Sequence, residues 1–510
     1  MLVTLNDDAT VGVIDPKLNL RSSNMLAAHR LGKMPGASVA DAIHMRLLAT
    51  FPDTGEVRSF SLHSSAETTL LKELARPTAI ATAGDTGFWL AEEGKGSISR
   101  HTASGQLLET IGLTAPGSAI SFRPVAADPA KSRTRNLTHA RLGAFAADGT
   151  LLLVESETGR KLMRQPAGER IVDAAFLSNG AVLTLAADKP AADLRFADRP
   201  QVVQRISTGI IASHLAPAPD GRFVIAYEHG GSIFTVIDVA SAQVVQSFQL
   251  DAGTISDVLM TADAAFILSH DGGFVVVMDS EALGAGREII LRRVPLAGTS
   301  PRPKIRGPFL IPLAPAPMIL IVDPARQTGW ILPEAAATSE IPPMDSVRLR
   351  GGVPNTVLPV DRAFRKLGPG RYEATWAFDA GPQELVLTTG AGGFSRCIPF
   401  AVDGDPRRQT SQPVLLQVTL SESDLVSGVP QDLRLSLRDR QGRDRTPDEM
   451  ELLLPSMVSS WREVITARRG ADGALHLSIT FPHPGSYTLQ PLRLPKGLAL
   501  QSTPVLEVLR

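Results

Sequence analysis

Residues 223–250 read FVIAYEHGGSIFTVIDVASAQVVQSFQL, and residues 265–291 read AFILSHDGGFVVVMDSEALGAGREIIL. Both follow one plan: an apolar run, a polar tip with Gly, a second alternating run ending in Asp, then a looser third run. Residues 3–20, VTLNDDATVGVIDPKLNL, open the chain on the same plan. A unit repeated at this spacing cannot bury its apolar face alone, so each copy must lean on its neighbours in an array.

The central hairpin of the unit tracks along the chain near residues 3–14, 45–60, 87–100, 151–164, 181–196, 223–238, 265–279 and 318–332. Most steps are about 40 residues, the size of a four-stranded propeller blade. The expectation is an all-β chain: a β-propeller of seven blades, with eight the other count the hairpins permit. One long step holds the loop PVAADPAKSRTRNLTHAR (124–141), and the short step from 151 to 181 suggests a blade lacking its outer strand. The first unit has no innermost strand before Leu2. Either strands from the two ends of the array share a blade, or a preceding strand has been removed. The stretch 34–45 is the best place for a turn or two of helix.

A chain of 510 residues is too long for one core and suggests several domains. Its 51 basic and 52 acidic residues give a net charge of −1, which argues against a polyanion binder. Gly (43) and Pro (38) suit short strands and turns, and 5% aromatics weaken any reading built on base or sugar stacking. The single Cys397 excludes an internal disulfide, a thiolate cluster and a covalently attached c-type haem. No run of about 18 apolar residues occurs, so no membrane-spanning helix is expected.

The pattern changes after residue 335. EAAATSEIPP (334–343) has linker composition. GPGRYEATWAFDAGPQELVLTT (368–389) and GADGALHLSITFPHPGSYTLQPL (470–492) then share a strand–turn–strand device. The division expected is a propeller over 1–335, a short β-sandwich-like module over 336–404 and an immunoglobulin-like sandwich over 413–510. VTLNDDATVGVIDP and VIAYEHGGSIFTVIDVASAQVV resemble the blades of bacterial YVTN-type propellers. That superfamily also holds the nitrite-reductase haem propeller and the amine-dehydrogenase heavy subunit. LRLSLRDRQGRDRTPDEMELLLP (433–455), followed by DGALHLSITFPHPGSYTL (472–489), resembles the FixH/YtkA-like sandwich. These resemblances imply a periplasmic or secreted location beside respiratory or copper-handling systems. They specify fold and leave activity open.

Aligning units on the turn after the presumed inner strand gives IVDAAFLSNG, ASHLAPAPDG and SDVLMTADAA. Six residues before the turn stand Asp173, His214 and Asp257. Inner strands line the channel, so these three are expected at one mouth of it, where two carboxylates and an imidazole could hold a metal or polar ligand. Channel water explains polar residues there equally well, and Ala79 and Leu142 at the equivalent positions break any symmetric ring. The hairpin tips carry Asn6, Asp7, Asp8, Glu228, His229, His270 and Asp271, residue types that turns favour for backbone reasons. The glycine pairs 230–231 and 272–273 supply backbone angles closed to other residues.

GAGG (390–393) precedes a strand-like run and no helix, so it is no phosphate cradle. There is no Gly-x-Ser-x-Gly elbow and no His-Glu-x-x-His. Copper, or another divalent metal, would have Cys397, Met344, Met457, His476 and His483 as soft ligands, without an evident reason for them to converge. Lys131, Arg133, Arg135 and Arg141 form the densest basic cluster of the propeller. A second set, Arg434, Arg438, Arg440, Arg443 and Arg445, alternates with Asp439 and Asp444 at a hairpin. Solvated turns account for both, and a partner-docking role would make association salt-dependent.

The expectation is a non-catalytic binding or scaffold protein outside the cytoplasm, without a cofactor. Its partner would be a redox or metal-handling enzyme or a cytochrome, docked through the propeller face and the sandwich modules. The alternative is a redox-enzyme subunit holding a quinone, haem or copper at the channel mouth through His214, Asp173 and Asp257. A hydrolase of lactones or phosphoesters would need more acidic ligands than can be aligned.

Overall fold

The computed structural model describes the chain except residues 17–23, 63–65, 126–140, 285, 288, 304–306, 315, 338–344, 362–364, 375–380, 389–394, 404–413, 422–424, 440, 495–497 and 501–502. Alternating apolar runs broken by Gly- and Asp-bearing turns give eight antiparallel four-stranded sheets. Their inner strands are Pro354–Pro359, Ala37–Asp41, Pro77–Thr82, Ile120–Val125, Ile171–Phe176, His214–Pro217, Asp257–Met260 and Leu310–Pro312, for blades 1 to 8. Each touches the next around the ring, and the last touches the first. The fold is a β-propeller. Of the two counts left open, the sheets make eight.

Blade 1 explains the missing first strand. Leu2–Asn6 pairs on one side with Thr10–Ile14 and on the other with Pro354–Pro359, so the two ends of the array share one sheet. Asp345–Arg348 is likewise the outer strand of blade 8. The ring therefore extends to about residue 360 and not to 335. The linker-like composition of 334–343 marks a long connection inside blade 8, not its end.

The uneven steps have one cause. In blade 4 the inner strand Ile120–Val125 and the second strand Arg141–Ala146 are separated by the long segment 126–140. The hairpin near 151–164 is thus the third and fourth strands, one position later than in other units. No outer strand is missing. The stretch 34–45 holds the inner strand of blade 2 and a turn instead of a helix.

Apolar residues from facing sheets fill the seams between blades, such as Phe234, Val236, Ile267 and Met278 between blades 6 and 7. Trp89, fully buried in blade 3, donates its indole N–H to the Ser156 carbonyl of blade 4 at 2.8 Å. Gly230 (φ 85°) and Gly273 (φ 72°) take left-handed angles in the tips of blades 6 and 7, as their pairing suggested.

Beyond the ring, residues 365–373 and 381–402 form two separate two-stranded ribbons, so the described residues of 336–404 make no sandwich. Residues 414–509 do: a seven-stranded and a three-stranded sheet enclose Leu416, Leu433, Leu435, Leu437, Leu452, Phe481, Tyr487 and Leu506. This sandwich stands against blade 1. Met25 and Ala28 pack on Leu453 and Leu492, Gln490 donates to the Met25 carbonyl, and Arg30 pairs with Glu451.

Candidate functional site

Strand direction decides what shares a face. Every inner strand starts at the end of the ring where the turns between second and third strands lie, as Asp257 opposite Leu268 and His214 opposite Tyr227 show. Asp173, His214 and Asp257 are at or near the starts of consecutive inner strands, in blades 5, 6 and 7. All three stand toward the same end of the ring.

The two carboxylates are committed to the neighbouring backbone. Asp173, buried, accepts from the Leu215 N–H of blade 6 at 2.9 Å and from the Arg123 guanidinium of blade 4 at 2.7 Å. Asp257 accepts from Phe309 N–H at 2.6 Å and Leu310 N–H at 2.9 Å, both of blade 8, and from its neighbour Val258 at 2.9 Å. One carboxylate thus links three blades and the other two. Such bonds satisfy backbone donors at the starts of inner strands that the sheet ladder leaves unpaired.

Tyr227 and His214 stack at 5.3 Å between ring centroids, and His229 stands 6.0 Å from His214. Ser213 Oγ lies 2.7 Å from His214 Nδ1. Burial pushes the Asp257 carboxyl up to about 6 despite its backbone donors and a hydrogen bond with Tyr227. Burial, and then the charges of Asp257 and Asp173, raise the Tyr227 phenol well above its ordinary value. The mouth therefore carries an acid able to titrate near neutrality beside a tyrosine and two imidazoles. Among the described residues no group of three or more His, Cys, Asp or Glu is placed to hold a metal ion.

Two members of this mouth were invisible to the alignment. Arg123 was missed because the long segment hid the true inner strand of blade 4; Leu142, taken as its equivalent, belongs to the second strand. Tyr227 ends an apolar strand and reads as core. Val172, next to Asp173 on the inner strand of blade 5, and Ile211, in the connection entering blade 6 at His214, are 43% and 55% exposed.

The other candidates are scattered. His270 Nε2 bonds the Val322 carbonyl of blade 8 at 2.8 Å, and Asp271 accepts from Thr254 and Ser269. Asn6 bonds the Gly351 carbonyl, and Asp7 and Asp8 pair with Arg462 of the sandwich. Glu228 is exposed. Lys131, Arg133 and Arg135 lie outside the described residues, as do Met344 and Arg440. The anchors of the basic segment, Val125 and Arg141, pair at the opposite end of the ring from Asp173.

Cys397 is exposed on a ribbon, not packed as a small hydrophobe, and the nearby Glu384 carboxylate pushes its thiol up. His476 bonds Asp472 at 2.8 Å, the His483 carbonyl accepts from the Tyr487 hydroxyl, and Met457 lies buried at the seam with the propeller. Arg443 and Arg445 both pair with the buried Asp439, and Arg469 with Asp444.

No helix among the described residues is long and apolar enough to cross a membrane. No family model matches the chain, and no curated protein matches it. Solved structures similar to it include β-propeller proteins. One is dihydro-heme d1 dehydrogenase NirN in complex with DHE, at 13% identity and TM-score 0.47, covering 68% of this chain and 74% of that one. AztD from Citrobacter koseri is similar at 13% identity and TM-score 0.34, with 58% and 95% covered. The computationally designed Ika8 protein is similar at 16% identity and TM-score 0.47, with 62% and 89% covered.

Proposed function

We propose that this is a non-catalytic binding protein that docks a partner protein on the propeller face bearing the channel mouth. The observation that carries the reading is that exposed Val172 adjoins Asp173 in sequence, exposed Ile211 precedes half-buried His214 by three residues, and the exposed Arg123 bonds Asp173. Isolated exposed apolar side chains are ordinary, but two of them beside a charged rim suit a contact with an apolar centre and a polar edge. Asp173 and Asp257, bonded to backbone, hold that surface rigid, which lowers the ordering cost of binding.

The blade units favour the YVTN type. The Asp439–Gly442 turn and the Tyr487 hydroxyl bonded to His483 favour a FixH/YtkA-like sandwich. On that reading the protein works in the periplasm or outside the cell, and its partner is a redox or metal-handling enzyme or a cytochrome. Lys131, Arg133, Arg135 and Arg141 would then serve a second, salt-sensitive contact.

One observation favours a redox subunit instead: Asp257, titrating near 6, stands by Tyr227, and His214 stacks on that ring with His229 close by. A visible spectrum and metal analysis of the purified chain, with affinity capture at low salt, separate the two. Docking predicts a colourless, metal-free protein that retains one partner and loses it in the Val172→Asp/Ile211→Asp double variant. A stoichiometric chromophore or metal, copper included, that is lost in His214→Ala would replace docking by the redox reading.

A further inference from the structure

The seam where the sandwich meets the ring contains a cation that no carboxylate of the described residues neutralises. Arg350, in the connection between blade 8 and blade 1, is 92% buried, being 8% exposed. Its guanidinium donates to the Ser456 carbonyl at 2.7 Å and the Met457 carbonyl at 2.5 Å, while its Nε–H is buried without an acceptor. No carboxylate of the described residues lies within ion-pairing distance of it. A buried charge held by neutral carbonyls alone normally demands a counter-charge.

The same small cleft, partly open to solvent, is lined by Arg348, Arg350, Arg462, Ser456, Ser459 and Trp461, among others. Arg348 is exposed and forms no ion pair among the described residues. Arg462 pairs with Asp7 and Asp8 and donates to the Gly351 carbonyl. Three arginines against two aspartates leave one positive charge uncompensated. Burial, and then the like charge of Arg348, press the Arg350 guanidinium below its ordinary value, which marks the two cations as close. Half-buried Ser459 adds a hydroxyl to the lining, while the buried Ser456 hydroxyl accepts from the Val458 and Ser459 N–H groups.

We propose that this cleft between propeller and sandwich is a binding site for a compact oxyanion. Guanidinium donors facing a small polar cleft are the ordinary means of holding phosphate, sulfate or carboxylate oxygens. Bound there, the anion would bridge residues of the ring-closing connection to the sandwich loop 455–462. The inference is independent of the docking surface at the channel mouth.

The test is calorimetric titration of the full chain with inorganic phosphate at fixed ionic strength against a chloride background. One saturable site per chain is expected. Arg348→Ala, whose exposed side chain forms no ion pair among the described residues, should weaken binding about tenfold or more without lowering the phosphate-free thermal midpoint. Arg123→Ala, at the channel mouth, should bind as the parent does. Competition by acetate would assign the group to a carboxylate, such as an acidic side chain of a partner, and its failure to a tetrahedral oxyanion. Phosphate binding that is unsaturable, or equal in Arg348→Ala and the parent, overturns the proposal.

Discussion

Asp257 gives the sharpest quantitative expectation. Its carboxyl goes from 3.8 to about 6 on folding, because burial outweighs the three backbone N–H groups that it accepts. A group whose folded pKa is raised adds stability below its unfolded pKa and loses it as pH climbs through the folded one. At 1.36 kcal/mol per pH unit, the rise from 3.8 to about 6 is worth about 3 kcal/mol in all, most of it lost between pH 4 and pH 7. Asp257→Asn removes the charge. It keeps an oxygen for Phe309 and Leu310 but turns an amide N–H toward Val258, a fixed cost of about 1–2 kcal/mol at every pH. Urea unfolding of both proteins from pH 4 to pH 8, followed by fluorescence, isolates the titration. Every other group cancels in the difference, including His29, whose imidazole burial holds at about 4. The variant should gain about 3 kcal/mol on the parent across that range. A flat difference, or one of opposite sign, would show that the backbone donors outweigh burial and would refute the reasoning.

Other expectations concern the ring and its seams. A chain ending at residue 335 lacks the inner strand of blade 1 and the outer strand of blade 8, so it should elute as aggregates in size exclusion, whereas one ending at 361 should keep the ring. Gly143→Ala would put a methyl 2.1 Å from the Phe176 ring across the seam of blades 4 and 5, costing about 1–3 kcal/mol in chemical denaturation. Gly112→Ala, with nothing within 4 Å, should stay within about 0.5 kcal/mol. Arg350→Ala strips donors from two seam carbonyls, and hydrogen exchange in 455–462 should quicken at least about tenfold.

The architecture was legible because period-2 runs and Gly/Asp tips repeat along the ring, and the strand missing before Leu2 left a blade shared by both ends of the array as one of two readings. What misled was local. Counting hairpins treated 151–164 as equivalent to 181–196, yet a 15-residue segment placed between first and second strands had shifted it by one strand. Linker composition at 334–343 masked two further propeller strands, since composition reports local chain preference and not which edge a later strand will complete. At the channel mouth, spacing found Asp173, His214 and Asp257, but not that the carboxylates reach into adjacent blades. Contacts between units carry no period, so Arg123, Tyr227 and Arg350 gave no signal that a single sequence could show.

The shared sheet of blade 1 has a consequence for how the chain is made. Leu2–Asn6 leaves the ribosome well before Pro354–Pro359 and lacks its inner neighbour until that strand has been synthesised. At about 5–20 residues per second, that bare edge waits roughly 20–70 s. A nascent-chain holdase that shields extended segments would have its greatest leverage on this opening hairpin, and a slow codon stretch before residue 354 would lengthen the period of vulnerability.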